Sequence, residues 1–146
     1  MSAPDADLSL VTLGVCNVPR SIAFYRALGF DRKAKVADGV GFFAAGACAI
    51  AVLPSEELAQ DANVASEGMA ASFRGVALAW NCRSKTEVDR VIKRARGAGA
   101  LVRQPAPDAF CGGYSGYFAD LDGHLWEVAF NPDFSLSDDS RLQLSD

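Results

Sequence analysis

The chain states the same order of elements twice, and this repetition limits its fold more than any other feature. Leu8 to Val15 is an apolar, β-branched run that reads as a strand, followed by a short helical segment and three further strand-like runs ending at Pro54. The order returns with a strand at Val76 to Asn81, a helix, a strand at Leu101 to Gln104 and a hairpin between Gly113 and Pro132. One unit of four strands and one helix cannot cover both faces of its sheet. The spacing therefore predicts an α+β protein in which two related βαβββ modules share a core.

Local signals place the helices. Asn17 is suited to an N-cap, Pro19 sits in the first turn where a missing N–H costs little, and Gly29 provides a stop. Val18, Ile22, Tyr25 and Leu28 (or Phe24) recur at helical spacing, which gives this helix one apolar face. In the second unit Ser84-Lys85-Thr86-Glu87 forms a capping box. Val88, Val91, Ile92 and Ala95 follow at i, i+3, i+4 and i+7, and Gly97 or Gly99 closes the helix. The resulting plan is a lead-in over 1–7, a first module over 8–54, a linker over 55–73 with one helical turn, a second module over 74–132 and a polar tail over 133–146.

Half of the 146 residues are hydrophobic, enough for a sizeable core, and no apolar run approaches the ~20 residues that span a bilayer. The first residues are acidic and lack the basic start of a secretory signal. A net charge of −4 offers no general attraction to nucleic acid or anionic lipid. Cys16, Cys48, Cys82 and Cys111 are scattered without C-x-x-C spacing, which favours reduced thiols and a cytoplasmic address over disulfides or zinc.

The last strand, Leu125 to Phe130, carries one carboxylate, Glu127, among apolar residues. A charge in such a strand is costly unless it has a partner or faces a wet cavity. Glu127 is thus a candidate anchor or general base, with Thr12, a tyrosine hydroxyl or water to satisfy it. Asp122-Gly123 marks the preceding turn, with Asp120 and Asp122 bonding its backbone. Trp80 reads as core and Arg103 as an exposed strand residue. Gly112-Gly113 lacks the G-K-[ST] continuation of a phosphate loop, and Cys111 has no adjacent base to activate it.

Two stretches together resemble the vicinal oxygen chelate superfamily, which includes glyoxalase I, extradiol dioxygenases and the bleomycin- and fosfomycin-resistance proteins. The first runs from Val11-Thr12-Leu13-Gly14-Val15 through Ser21-Ile22-Ala23-Phe24-Tyr25 to Leu28-Gly29-Phe30. The second is Gly113-Tyr114-Ser115-Gly116-Tyr117-Phe118-Ala119-Asp120 with Asp122-Gly123-His124-Leu125-Trp126-Glu127. The resemblance covers nearly the whole chain except its ends and the linker. It implies two tandem βαβββ modules curled into a half-open cup (the glyoxalase/bleomycin-resistance fold), with helices outside, ligand inside, and a homodimer.

In metal-using members, the first and last strands of each module supply the ligands. Those positions fall near Leu10, Ile50, Gly75 and Glu127, and only Glu127 can bind a divalent ion. The lone histidine, His124, lies three residues from Glu127, an odd separation that sends the two side chains to opposite strand faces. The expectation is therefore a protein that binds a small molecule in its cup without metal or other cofactor. Thr12, Phe110, Tyr114, Tyr117 and Glu127 are its contact residues, and neither nucleic acid nor membrane is a partner. The alternative is a lyase, isomerase or dioxygenase relative that uses a metal or Glu127 as base.

Overall fold

A computed structural model describes residues 4–33, 39–66, 73–104 and 113–144. Strand β1 (Leu10–Val15) leads to α1 (Val18–Leu28), then β2 (Asp31–Lys33), β3 (Gly41–Ala45) and β4 (Cys48–Pro54). Helix α2 (Ser55–Ala62) follows. The second module is β5 (Ala77–Asn81), α3 (Lys85–Gly97), β6 (Leu101–Gln104), β7 (Tyr114–Ala119) and β8 (Leu125–Phe130). A short hairpin, β9 (Ser135–Leu136) and β10 (Leu142–Gln143), ends the chain. Two four-stranded sheets result, ordered β1-β4-β3-β2 and β5-β8-β7-β6, so the architecture is mixed α+β as the repetition requires.

The registers show how closely the modules correspond. β1 runs parallel to β4 with Thr12 opposite Ala51, and β5 runs parallel to β8 with Ala79 opposite Glu127. Thr12 and Ala79 stand at the same distance from the helix caps Asn17 and Ser84. The caps act as their side chains allow. Asn17 Oδ1 accepts from Arg20 N at 3.1 Å, and Ser84 Oγ accepts from Glu87 N at 3.1 Å. Glu87 completes its box one residue early, accepting from Arg83 N at 2.6 Å. Gly29 takes the left-handed conformation at φ 103° that ends α1. Helix α2 is longer than the single turn expected of the linker.

One core joins both modules. Val11, Leu13 and Val15 on β1, and Trp126 and Val128 on β8, turn inward with the apolar faces of α1 and α3. Each large aliphatic side chain buried there contributes about 1.5–3 kcal/mol. Tyr25 stands at the centre, with no exposed surface. Its ring meets Phe24 edge-on at 5.0 Å, Phe43 at 5.9 Å and Trp126 at 6.0 Å, while Phe118 stacks on Trp126. Its hydroxyl donates to Asp120 Oδ2 at 2.5 Å and accepts from Trp126 Nε1 at 3.2 Å, so the buried oxygen is satisfied from the other module.

The turn between β7 and β8 strengthens this junction. Asp120 Oδ1 accepts from Asp122 N and His124 N, both at 2.9 Å, and holds the turn as expected. Asp122 does something else. Its carboxylate reaches the first module and accepts from Cys16 N at 2.8 Å and Ser21 Oγ at 3.3 Å. Asp122 therefore clamps the modules together.

Candidate functional site

The site is built on the face of the second sheet that turns away from the core. Trp126 and Val128 are buried, so period-2 alternation places Leu125, Glu127 and Ala129 on the opposite side. Tyr117 on β7 and Ala79 on β5 lie directly opposite Glu127 on its two neighbouring strands, so the three share that face. Tyr117 donates from its hydroxyl to Glu127 Oε2 at 2.7 Å. That bond to the carboxylate, with a smaller contribution from burial, raises the Tyr117 phenol above its ordinary range. The costly strand carboxylate thus has a partner, a tyrosine hydroxyl rather than Thr12. Glu127 Oε1 remains able to accept another hydrogen bond.

The equivalent row in the first module is Phe42, Ala51 and Thr12, so the polar pair belongs to the second module alone. This register also corrects two of the expected metal positions. Ile50 is 3% exposed in the core, opposite Val11, and the residue matching Glu127 is Ala51. Gly75 precedes β5 at φ 79°, and the residue matching Leu10 is Ala77. The corrected set, Leu10, Ala51, Ala77 and Glu127, offers one ligating side chain. Among the described residues no group of three His, Cys, Asp or Glu side chains gathers. Such a donor set does not fit an ion that takes three or four protein ligands.

Thr12 lies on the outward face of β1 and lines a cavity of about 450 Å³ with Gly14, Leu58 of α2, His124 and Leu125. Leu125 is the next residue to Glu127 on the same face of β8, so this cavity occupies one end of the site. Helix α2 closes in there because Gly14 has no side chain. A Cβ at Gly14 would stand 3.1 Å from Ser55 Cα. His124 fixes the floor of this end. Its Nε2 lies 2.7 Å from Gly14 O and must carry the proton, while Nδ1 lies 2.8 Å from Arg74 Nη1 and must accept. Arg74 Nη2 also donates to Asp122 O at 2.7 Å.

The structure therefore brings Tyr117 and Glu127 together and sets Thr12, on the other sheet, in the cavity that adjoins their face at Leu125. It does not bring Tyr114 to them. Tyr114 sits on the opposite face of β7, donates to Asp89 Oδ1 of α3 at 2.7 Å and lies under Lys85 Nζ at 5.7 Å. Its separation of three from Tyr117 was the signal that could have shown this. Phe110, with Cys111, lies outside the described residues. Cys16, Cys48 and Cys82 are free thiols. Sequence reasoning missed the Arg74–His124 pair, because nothing in local spacing joins residues separated by the length of α3 and a sheet.

Residues 8–128 match the family model of the Glyoxalase/Bleomycin resistance protein/Dioxygenase superfamily. The chain belongs to that superfamily. A glyoxalase-related enzyme from Fulvimarina pelagi is 30% identical, with a TM-score of 0.85 over 96% of this chain and 99% of that one. A glyoxalase/bleomycin resistance protein/dioxygenase family enzyme from Burkholderia phytofirmans PsJN shares the fold at 22% identity, with a TM-score of 0.73 over 86% and 98%. The fosfomycin resistance protein of Listeria monocytogenes shares it at 18% identity, with a TM-score of 0.62 over 90% and 97%. No curated protein matches the chain in sequence. Among the described residues, no helix of this superfamily member is long and apolar enough to cross a membrane.

Proposed function

We propose that this superfamily member binds a small molecule on the face carrying Tyr117 and Glu127, without the metal used by many of its relatives. The observation that carries this reading is the donor set. Glu127 stands at a position where relatives place a metal ligand, yet its companions are Leu10, Ala51 and Ala77, and its partner is the Tyr117 hydroxyl. Such a carboxylate orients a ligand hydroxyl or amine through Oε1 instead of an ion. Ala77 and Ala79 keep the floor low enough to admit an apolar body beside it.

The apolar residues around this face are poorly covered in one chain. Val76 is 61% exposed and Phe73 72% exposed. A second copy of the chain packed there would bury them and close the site, which supports a homodimer. The likeness to a fosfomycin resistance protein supports the choice of a small-molecule ligand, and relatives described as enzymes, one of them a lactoylglutathione lyase, support the competing reading of a lyase or dioxygenase.

The test begins with elemental analysis of protein purified without metal-affinity resin, followed by titration with Ni²⁺, Zn²⁺, Mn²⁺ and Fe²⁺. Only substoichiometric metal is expected, and tight stoichiometric metal would overturn the metal-free reading. A thermal-shift screen of small polar molecules follows, with hits repeated on Glu127→Gln. Loss of binding without detectable turnover supports a binding protein. Turnover that stops in the variant while affinity holds establishes an enzyme instead.

A further inference from the structure

The two inter-strand turns of the modules are unequal, and the inequality leaves a second cavity. The β7–β8 turn spans Asp120 to His124 and plugs into the first module through Cys16, Ser21, Tyr25 and Gly14. Its counterpart between β3 and β4 has only Gly46 and Ala47 between the paired residues Ala45 and Cys48. Neither can reach across to β5 and α3. Where a longer turn would plug, a cavity of about 730 Å³ remains, lined by Ala47 on one side and Trp80 and Asn81 on the other. That volume lies within the range of small-molecule sites, ~300–1,000 Å³.

Its walls and rim have a definite chemistry. Phe30 and Trp80 are both half-buried, with ring centroids 5.2 Å apart, and both line the cavity. Two carboxylates at the rim are already neutralised: Asp31 by Lys33 at 2.7 Å and Asp139 by Arg141 at 3.2 Å. Arg94 differs. It donates from Nε to Ala27 O at 2.7 Å, and no carboxylate among the described residues pairs with it. Its guanidinium lies across Gly29, where a Cβ would come within 2.8 Å of Nη1, so the missing side chain leaves room for the cation that the bond to Ala27 O holds at the rim. The C-terminal hairpin closes one side, since Ser140 and Leu142 line the cavity and Arg83 Nη2 donates to Ser137 O and Ser140 Oγ.

We propose that this inter-module cavity is a second ligand site, taking a planar aromatic molecule with one anionic group. The ring lies against Trp80 and Phe30, and the anion meets Arg94. The ring and anion contacts use neither Tyr117 nor Glu127, so the proposal stands whether or not that pair binds as proposed, although Ala77 and Ala79 at the edge of that face also line this cavity. Stacking and a charge-assisted hydrogen bond supply affinity from opposite ends of the ligand, so both are needed for tight binding.

The probe is 2-naphthoate, with 2-naphthylmethanol as its uncharged counterpart, titrated into ¹⁵N-labelled protein while the two tryptophan indole N–H signals are followed. Trp80→Phe assigns the signals. We expect 2-naphthoate to shift the Trp80 signal saturably, the alcohol to bind about tenfold or more weakly, and Arg94→Gln to lose a similar factor. Glu127→Gln should leave naphthoate affinity unchanged. Three results overturn the proposal: no saturable shift of the Trp80 signal, equal affinity for acid and alcohol, or affinity lost in Glu127→Gln and kept in Arg94→Gln. The last would place the aromatic anion on the Tyr117–Glu127 face, which separates failure here from failure of the function proposed above.

Discussion

Tyr117 and Glu127 face each other across the β7–β8 ladder, and the tyrosine hydroxyl donates to the carboxylate at 2.7 Å. The bond stabilises the neutral phenol, so the Tyr117 pKa is raised, chiefly by that bond and less by burial. Stability from a raised group is fully present below the unfolded tyrosine pKa and is lost as pH rises through the folded one. Glu127→Gln removes the charge that holds the phenol neutral. Tyr117 should then ionise at lower pH, nearer an ordinary tyrosine, in a titration followed by absorbance at tyrosinate wavelengths, with Tyr117→Phe assigning the step. An unchanged step would show that the pair is not formed in solution.

Tyr25 joins the modules from within. Burial, then the nearby Asp120, pushes its phenol well above the usual range, so the hydroxyl stays a donor through all ordinary pH values. Tyr25→Phe leaves Asp120, 6% exposed, without one of its donors and Trp126 Nε1 without its acceptor. The expected loss is about 1.5–3 kcal/mol, read as a lower urea midpoint at unchanged slope. The loss should be constant from neutral pH up to the ordinary tyrosine range. A change below experimental error would mean that water replaces both bonds.

Gly14→Ala should destabilise the protein, because the new methyl meets both Cα and Oγ of Ser55 at 3.1 Å, and rotating the hydroxyl away leaves the backbone contact in place. Overpacking of this kind costs about 1–3 kcal/mol. The strain falls on α2, so amide exchange should quicken over Ser55–Ala62 and much less over α3. Uniform quickening of both helices would contradict this placement.

Burial, then the charge of Glu87, raises the Cys82 thiol to about 11, while Cys16 is exposed. Thiolate is the reacting form, so only about a thousandth of Cys82 is reactive at pH 8 even before access is counted. In a timed alkylation followed by peptide mass spectrometry, Cys16 should be modified before Cys82, which reacts only on unfolding. Comparable rates in the folded protein would refute the burial of Cys82.

The elements and their doubling were legible in the chain, because these rest on local physics. Caps such as Asn17 and Ser84, stop glycines such as Gly29, and apolar periodicity act within a few residues of each other. The sequence also singled out Glu127, since a carboxylate in an apolar strand demands a partner wherever the strand lies, and it correctly turned Tyr117 toward that side. It erred where a one-residue slip reverses a strand face, as at Ile50, and where Tyr114 was grouped with Tyr117 despite an odd separation. Which distant groups meet became visible only in the folded arrangement of the two sheets. Asp122 reaches Cys16, Tyr25 reaches Asp120, His124 lies between Gly14 and Arg74, and Arg94 rests on Gly29 at an open cavity. Each is a long-range pairing set by the register of two sheets and the unequal lengths of two turns, and no local spacing in the chain encodes it.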